Sequence, residues 1–287
     1  MSKVLKRQKT FFTNCSKLYI VGVPIGNFDD ISIRAIQTLQ MVDLIYCEDT
    51  RVTQKLLNHL HISKPLKSYH TFNENELTNM LIEQIKMGKN IAIVSDAGMP
   101  IISDPGFVAV RQAIQDEIDV VVIPGPSAFV TALVGSGISS NRIVFTGFLN
   151  SNDNKRKKEL ENLKDIEETL ILYESPHRIK ETLEMLKELM PNRYMCLARE
   201  LTKQYEEYLH GTPAEILNLI DEIKGEIVLI IEGATRKEIN EELNSGSIED
   251  HMKYYLTKGL DEKSAMKMVA KDREVSKSQI YQYLKKK

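Results

Sequence analysis

The sequence predicts an α/β protein built on a mainly parallel sheet. Three observations carry that expectation. Apolar runs of strand length recur, at 91–94, 120–123 and 227–231. Amphipathic stretches with helical spacing lie between them, as with Ile31, Ala35, Ile36 and Leu39. Several strands then end in loops rich in Gly and Pro, as open α/β sheets do where they bind ligands. Alternation of this kind builds βαβ units.

Taken in order, a strand at 17–23 runs into GVPIG at 22–26, and a helix follows at 31–39. A second strand at 44–47 ends in EDTR at 48–51, followed by a helix over 51–60 and a short strand at 66–69. Residues 74–87 read as a helix closed by Gly88. The strand at 91–94 delivers the chain into SDAGMPIISDPG at 95–106, twelve residues where about 4–6 are usual. A helix at 107–115 and a strand from Val120 lead to PGPSA at 124–128. Ser127 is placed to cap a helix running to Leu133 and stopped by Gly135 and Gly137.

The polar run NSNDNKR at 150–156 marks a boundary, giving a basic tail at 1–15, a first α/β domain at 16–148 and a second at 151–235. The second reads as helix 156–165, strand 169–173, helix 176–189, strand 194–198, a segment at 205–209, a helix from Pro213 and a strong strand within 225–233. Residues 238–246 are polar and linker-like. The remainder, 247–287, carries two short helical patterns at 261–270 and 276–284. These fit either a helix-turn-helix-like module or a simple helical cap.

Composition narrows the function classes. The chain has 287 residues, 42% hydrophobic and 27% charged, with net charge −2. No apolar run approaches the roughly 20 residues of a membrane helix, and no signal-peptide pattern opens the chain. Cys15, Cys47 and Cys196 are too few and too scattered for a disulfide framework or a zinc site. A cytoplasmic protein with no membrane partner and no metal is expected. The charge is uneven: Lys3, Lys6, Arg7 and Lys9 crowd the start, Lys155, Arg156, Lys157 and Lys158 form a run, and ten Lys/Arg face four Asp/Glu from His251 onward. Each patch alone reads as solvated surface; three together admit a phosphate-bearing partner.

The loops limit the chemistry. GVPIG lacks the dinucleotide fingerprint, and Pro24 has no N–H to give a pyrophosphate. There is no Walker sequence, no HEXXH and no GXSXG. The site suits a neutral or cationic ligand held by carbonyls, amides and a carboxylate such as Asp96. His59 and His61 are taken as surface residues. Glu48, Asp49 and Arg51, at a strand end, are either functional or a helix-terminal ion pair.

GVPIGNFDDIS at 22–32, EDTR at 48–51, the 95–106 loop, PGPSA at 124–128, YESPHR at 173–178 and ARELT at 198–202 together resemble the RsmI family of 16S ribosomal RNA cytidine 2′-O-methyltransferases, of the tetrapyrrole-methylase-like class. The motifs span roughly 15–235, and the tail resembles that family's helical extension less distinctively. One departure is Met99, where a small Thr-like residue is expected.

The resemblance implies two α/β domains with S-adenosylmethionine in the cleft between them, a homodimer, and a decoding-centre cytidine of 16S rRNA in the 30S subunit as target. It implies cofactor contacts from Pro24, Ile25, Asp96, Gly98, Met99, Pro100, Ser127, Ala128, Tyr173 and Gly225. Asp49, Glu174, Glu200 and His177 are candidate proton acceptors, and Arg51, Arg178 and Arg199 candidate oxyanion or phosphate partners; Asp49 and Arg51 are favoured as catalytic. Lys155, Arg156, Lys157 and Lys158 are expected to bind RNA at the cleft rim. The alternatives are a tetrapyrrole carbon methylase and a non-catalytic rRNA assembly factor.

Overall fold

The computed structural model describes residues 8, 15–70, 73–220 and 223–285. Lys3, Lys6, Arg7 and Lys9 of the basic tail, with Lys286 and Lys287, lie outside the described residues.

The first half places β1 (Lys17–Val21), β2 (Leu44–Cys47), β3 (Leu66–Ser68), β4 (Ile91–Val94) and β5 (Asp119–Ile123) in one sheet of order β3-β2-β4-β1-β5. Every pairing in it is parallel. All four β4 residues are buried because helices cover both faces. Ala92 and Val94 pack with Leu39 of α1 (Ile33–Met41) and Leu56 and Leu57 of α2 (Thr50–His59). Ile91 and Ile93 pack with Leu81 and Ile85 of α3 (Glu74–Lys86) and Ala109 of α4 (Phe107–Gln115). Because the strands run one way, their following loops gather along one edge.

The second half has β6 (Ile143–Phe148), β7 (Thr169–Glu174), β8 (Met195–Arg199), β9 (Glu207–Gly211) and β10 (Ile227–Ile231), ordered β6-β7-β10-β8-β9. Only β6 and β7 pair in parallel; the other three pairings are antiparallel. The expectation of a mainly parallel sheet therefore fails here. Residues 200–206 between β8 and β9 contain no crossover helix, so the two strands must fold back on each other. The changeover between sheets also comes earlier than residues 149–150. β6 already belongs to the second sheet, and the polar run lies at the start of α6 (Asp153–Leu163), capped by Asn152.

α5 (Ala128–Ser136) follows β5 but packs against the second sheet, Ala132 and Leu133 meeting Ile171, Ala198 and Ile230. Gly135 does not stop it. A Cβ there would lie 2.5 Å from the Tyr208 ring, so the glycine serves a close approach, and Gly137 in the left-handed region ends the helix. α6, α7 (Ile179–Leu189) and α8 (Pro213–Leu219) cover the opposite face with Leu160, Leu183 and Ile216.

Residues 238–245 are helical rather than a linker, and Gly246 follows as the extended cap. Thr235 and Glu238 form a reciprocal capping box that starts α9 (Arg236–Ser245). α10 (Ile248–Thr257), α11 (Glu262–Asp272) and α12 (Lys277–Lys285) complete a module with its own core of Met252, Tyr255, Met266, Val269 and Ile280. α11 and α12 are the two helices expected from periodicity.

Candidate active site

The loops at the carboxyl edge of the first sheet are stitched together by backbone. Val23 N–H donates to Gly98 O at 2.9 Å and Gly98 N–H returns the bond to Val23 O at 3.1 Å. Gly22 and Gly125 approach so closely that a Cβ on either would lie 2.8 Å from the other's backbone. Ser95 Oγ donates to Ala97 O at 3.1 Å, tightening the turn. Further along, Ile101 and Ser103 have φ of 79° and 66°. A β-branched residue in the left-handed region is strained, and such strain concentrates at functional loops.

Facing these loops are the ends of β7 and β10. Between them lies a cleft of about 590 Å³. Ile25, Asp96, Gly98 and Met99 form one wall and Ser127 and Ala128 the floor, with Tyr173, Gly225 and Val228 opposite. Nine of the ten expected cofactor contacts divide between this cleft and an adjoining hollow of about 240 Å³, which Pro24 lines. Pro100 lines neither and is buried within the loop.

The cleft is acidic. Asp96, Asp104 and Glu226 all line it. Burial, aided by the charges of Glu48, Asp96 and Glu226, pushes the Asp104 carboxyl up to about 7. No hydrogen bond or ion pair holds Asp104 among the described residues. Burial also raises Asp96, against the lowering effect of the Asp49 N–H that its Oδ1 accepts at 2.9 Å. Lys203, the cation of the cleft, bonds Glu200 at 2.9 Å and lies 3.5 Å from Glu226.

The structure separates the proposed proton acceptors. Asp49 caps α2 and takes a bidentate ion pair from Arg51, which holds its carboxyl down to about 2. Neither residue lines the main cleft. Glu174 is buried and engaged by Arg178, by Thr182 Oγ1 at 2.6 Å and by Ser175 N–H at 2.7 Å. Glu200 is tied to Lys203, Arg199 to Glu207 at 2.6 Å, and His177 is exposed away from the lining. Sequence reasoning missed Asp104, Lys203 and Glu226. Asp104 stands inside the singled-out 95–106 loop, yet only folding sets it among other carboxylates.

The basic run at 155–158 does not act as one surface. Arg156 is 1% exposed and paired with Asp153 at 2.7 Å, so its expected RNA contact is corrected to a structural one. It faces inward because it follows the helical register of Leu160, also buried. Lys157 is paired with Glu188 at 2.6 Å. Lys155 and Lys158 remain exposed. His59 packs against Phe28 with ring centroids 4.7 Å apart and the planes tilted by 35°. No helix among the described residues is long and apolar enough to cross a membrane.

A parallel and a mixed five-stranded sheet with this cleft between them define a protein of the tetrapyrrole-methylase class, and the model of the Tetrapyrrole (Corrin/Porphyrin) Methylases matches residues 17–217. Diphthine synthase superposes with a TM-score of 0.60 over 76% of this chain and 90% of its own, at 15% identity. A uroporphyrin-III C-methyltransferase from Thermus thermophilus, complexed with S-adenosyl homocysteine, reaches 0.54 over 76% and 97%, at 16% identity. Ribosomal RNA small subunit methyltransferase I of Bacillus subtilis is 44% identical over 97% of this chain and 98% of its own. Its namesake from Haemophilus influenzae is 43% identical over 93% and 95%. The chain belongs to the ribosomal RNA small subunit methyltransferase I family.

Proposed function

We propose that this chain transfers a methyl group from S-adenosylmethionine to the ribose 2′-oxygen of a decoding-centre cytidine in 16S rRNA. The near full-length identity to relatives named ribosomal RNA small subunit methyltransferase I carries this reading. The cleft residues fit the cofactor. Ile25, Met99, Ala128, Tyr173 and Val228 offer apolar walls to an adenosine, and the carboxylates suit a positively charged ligand. At about 590 Å³ the cleft lies within the range of cofactor pockets. When bound, the cofactor supplies a methyl group on a positively charged sulfur.

The chain's own task is alignment and proton removal. A ribose hydroxyl is a weak nucleophile while protonated, so a nearby base with a pKa near the working pH helps most. Asp104 meets that condition, and Asp49, held near 2, does not. Asp104 would accept the hydroxyl proton as the oxygen–carbon bond forms, while Lys203 steadies the negative charge of Glu226 beside it. The loops hold the reacting groups in line, which alone can lower a barrier by several kcal/mol.

We further propose the assembled 30S particle as substrate, a cytoplasmic setting and a homodimer. Val122 on the free edge of β5, with Val130 and Val134 of α5, supports self-association: they are 54%, 46% and 78% exposed. Incubating the protein with labelled cofactor and either 30S particles, naked 16S rRNA or a tetrapyrrole tests the reaction. Mass spectrometry should find label on one cytidine ribose, with particles preferred. Label on the tetrapyrrole, or on nothing, rules the reading out.

A further inference from the structure

Beside the cofactor cleft lies the smaller hollow of about 240 Å³, walled by Val23, Pro24, Phe28, Val52, Lys55 and Leu56. It shares Ile25, Asp96, Lys203 and Glu226 with the larger cleft, so the two spaces meet along those residues. A group held in one therefore abuts a ligand in the other.

Its mouth carries two further features. Phe28 stands on a single helical turn whose start is capped by Asn27, and the residue is 41% exposed. An apolar ring held so far into solvent, and backed by the His59 ring at 4.7 Å, presents a flat stacking surface. Along α2, Arg51, Lys55 and His59 follow at every fourth position, so they form one exposed line beside the hollow. Lys55 makes no hydrogen bond or ion pair among the described residues, and Arg51 keeps its side chain 86% exposed despite its bond to Asp49. In a protein of net charge −2, this is cationic surface adjoining an aromatic ring and a cavity.

We propose that this hollow receives the acceptor nucleoside of an RNA strand, the unstacked pyrimidine lying against Phe28 and the flanking phosphates on Arg51 and Lys55. The assignment rests on the rRNA reading above. Stacking on an aromatic ring holds a splayed base, phosphate contacts fix the strand's register, and the ribose is left at the junction where Asp96 and Lys203 face both spaces.

The test uses the full chain with Phe28→Ala, Phe28→Tyr and Lys55→Ala. Label transfer to unmodified small-subunit particles gives kcat and KM, and calorimetry gives cofactor affinity. Phe28→Ala should raise the particle KM on the order of tenfold, with Phe28→Tyr restoring most of it. Lys55→Ala should flatten the dependence of log affinity on log salt by about one phosphate contact. Cofactor affinity should not move in any of them. Wild-type KM and salt slope in both alanine variants would remove the pocket while leaving the rRNA reading intact. Loss of cofactor affinity in Phe28→Ala would assign that ring to the cofactor and also overturn the proposal. A wild-type protein that labels no rRNA would defeat the function itself, and the pocket with it.

Discussion

The side chain of Asp96 accepts the backbone N–H of Asp49 at 2.9 Å. One residue follows β4 and the other follows β2, so this bond ties a wall of the cleft to the start of α2. Asp49 in turn accepts Arg51 N–H at 2.8 Å and caps that helix. A chain of hydrogen bonds thus runs from the cleft wall to the basic face of α2.

Replacing Asp96 should therefore do two things. Asp96→Ala strips a carboxylate from the cleft and leaves the Asp49 N–H unpaired, a cost of about 1–3 kcal/mol. Asp96→Asn keeps an oxygen acceptor and should restore that stability without restoring cofactor affinity. Thermal melts and calorimetric titration separate the two effects. Equal cofactor binding in all three proteins would exclude Asp96 from the site.

Gly98→Val is the steric counterpart. Gly98 has φ of +77°, and a Cβ there would lie 3.2 Å from Ile25 Cγ2 and 3.4 Å from the Pro126 carbonyl. A β-branched residue in that conformation costs on the order of 1–3 kcal/mol and pushes into Ile25. Cofactor affinity should fall at least about tenfold, since about 1.4 kcal/mol is enough for that. A variant that binds as wild type would show that Ile25 yields freely.

For Asp104 the ordinary value is 3.8 and the folded value about 7. Between those pH values the folded chain holds a proton that the unfolded chain has released. Stability is thus lost as pH rises through that window, and ionised Asp104 is a burden above it. Asp104→Asn should raise the melting temperature at pH 8 and leave it unchanged below pH 3.8. Activity should fall by roughly 10²–10⁴ at pH 8, the usual yield of a general base, and its rise with pH near neutrality should vanish. A variant retaining the wild-type pH profile would exclude Asp104 as proton acceptor.

The basic run divides into two kinds of residue. Lys155 and Lys158 are exposed, so neutralising both should weaken RNA binding and flatten its salt dependence while melting is unaffected. Arg156→Ala should instead destabilise, by less than the roughly 3–5 kcal/mol of a fully buried pair because Asp153 is 70% exposed. Salt-dependent binding and denaturant melts of the two variants should move in opposite columns. Identical behaviour would mean the run is one surface after all.

Much of the first half was legible because its strands are buried on both faces, which writes them as unbroken apolar runs such as the one at 91–94. The cleft-forming loops announced themselves through Gly22, Gly98, Gly125 and the prolines around them, whose backbone geometry is local. The direction of β8, β9 and β10 was not legible, since strand orientation depends on which neighbour a strand meets. α9 had a readable signal in Thr235 and Glu238, outweighed by the polar composition of the helix they start. Asp104 was hidden for a different reason: its raised pKa comes first from burial and then from Glu48, Asp96 and Glu226, two of which lie far away in sequence.

The placement of α5 bears on how the chain can be divided. The last helix of the first half supplies Ala132 and Leu133 to the core of the second, while the chain crosses between the sheets within 137–142. A break in that crossing would leave one fragment carrying the plug for the other's socket. Two such pieces, made separately, would each expose apolar surface; made together, they should reassemble into a working whole, a ready-made split protein.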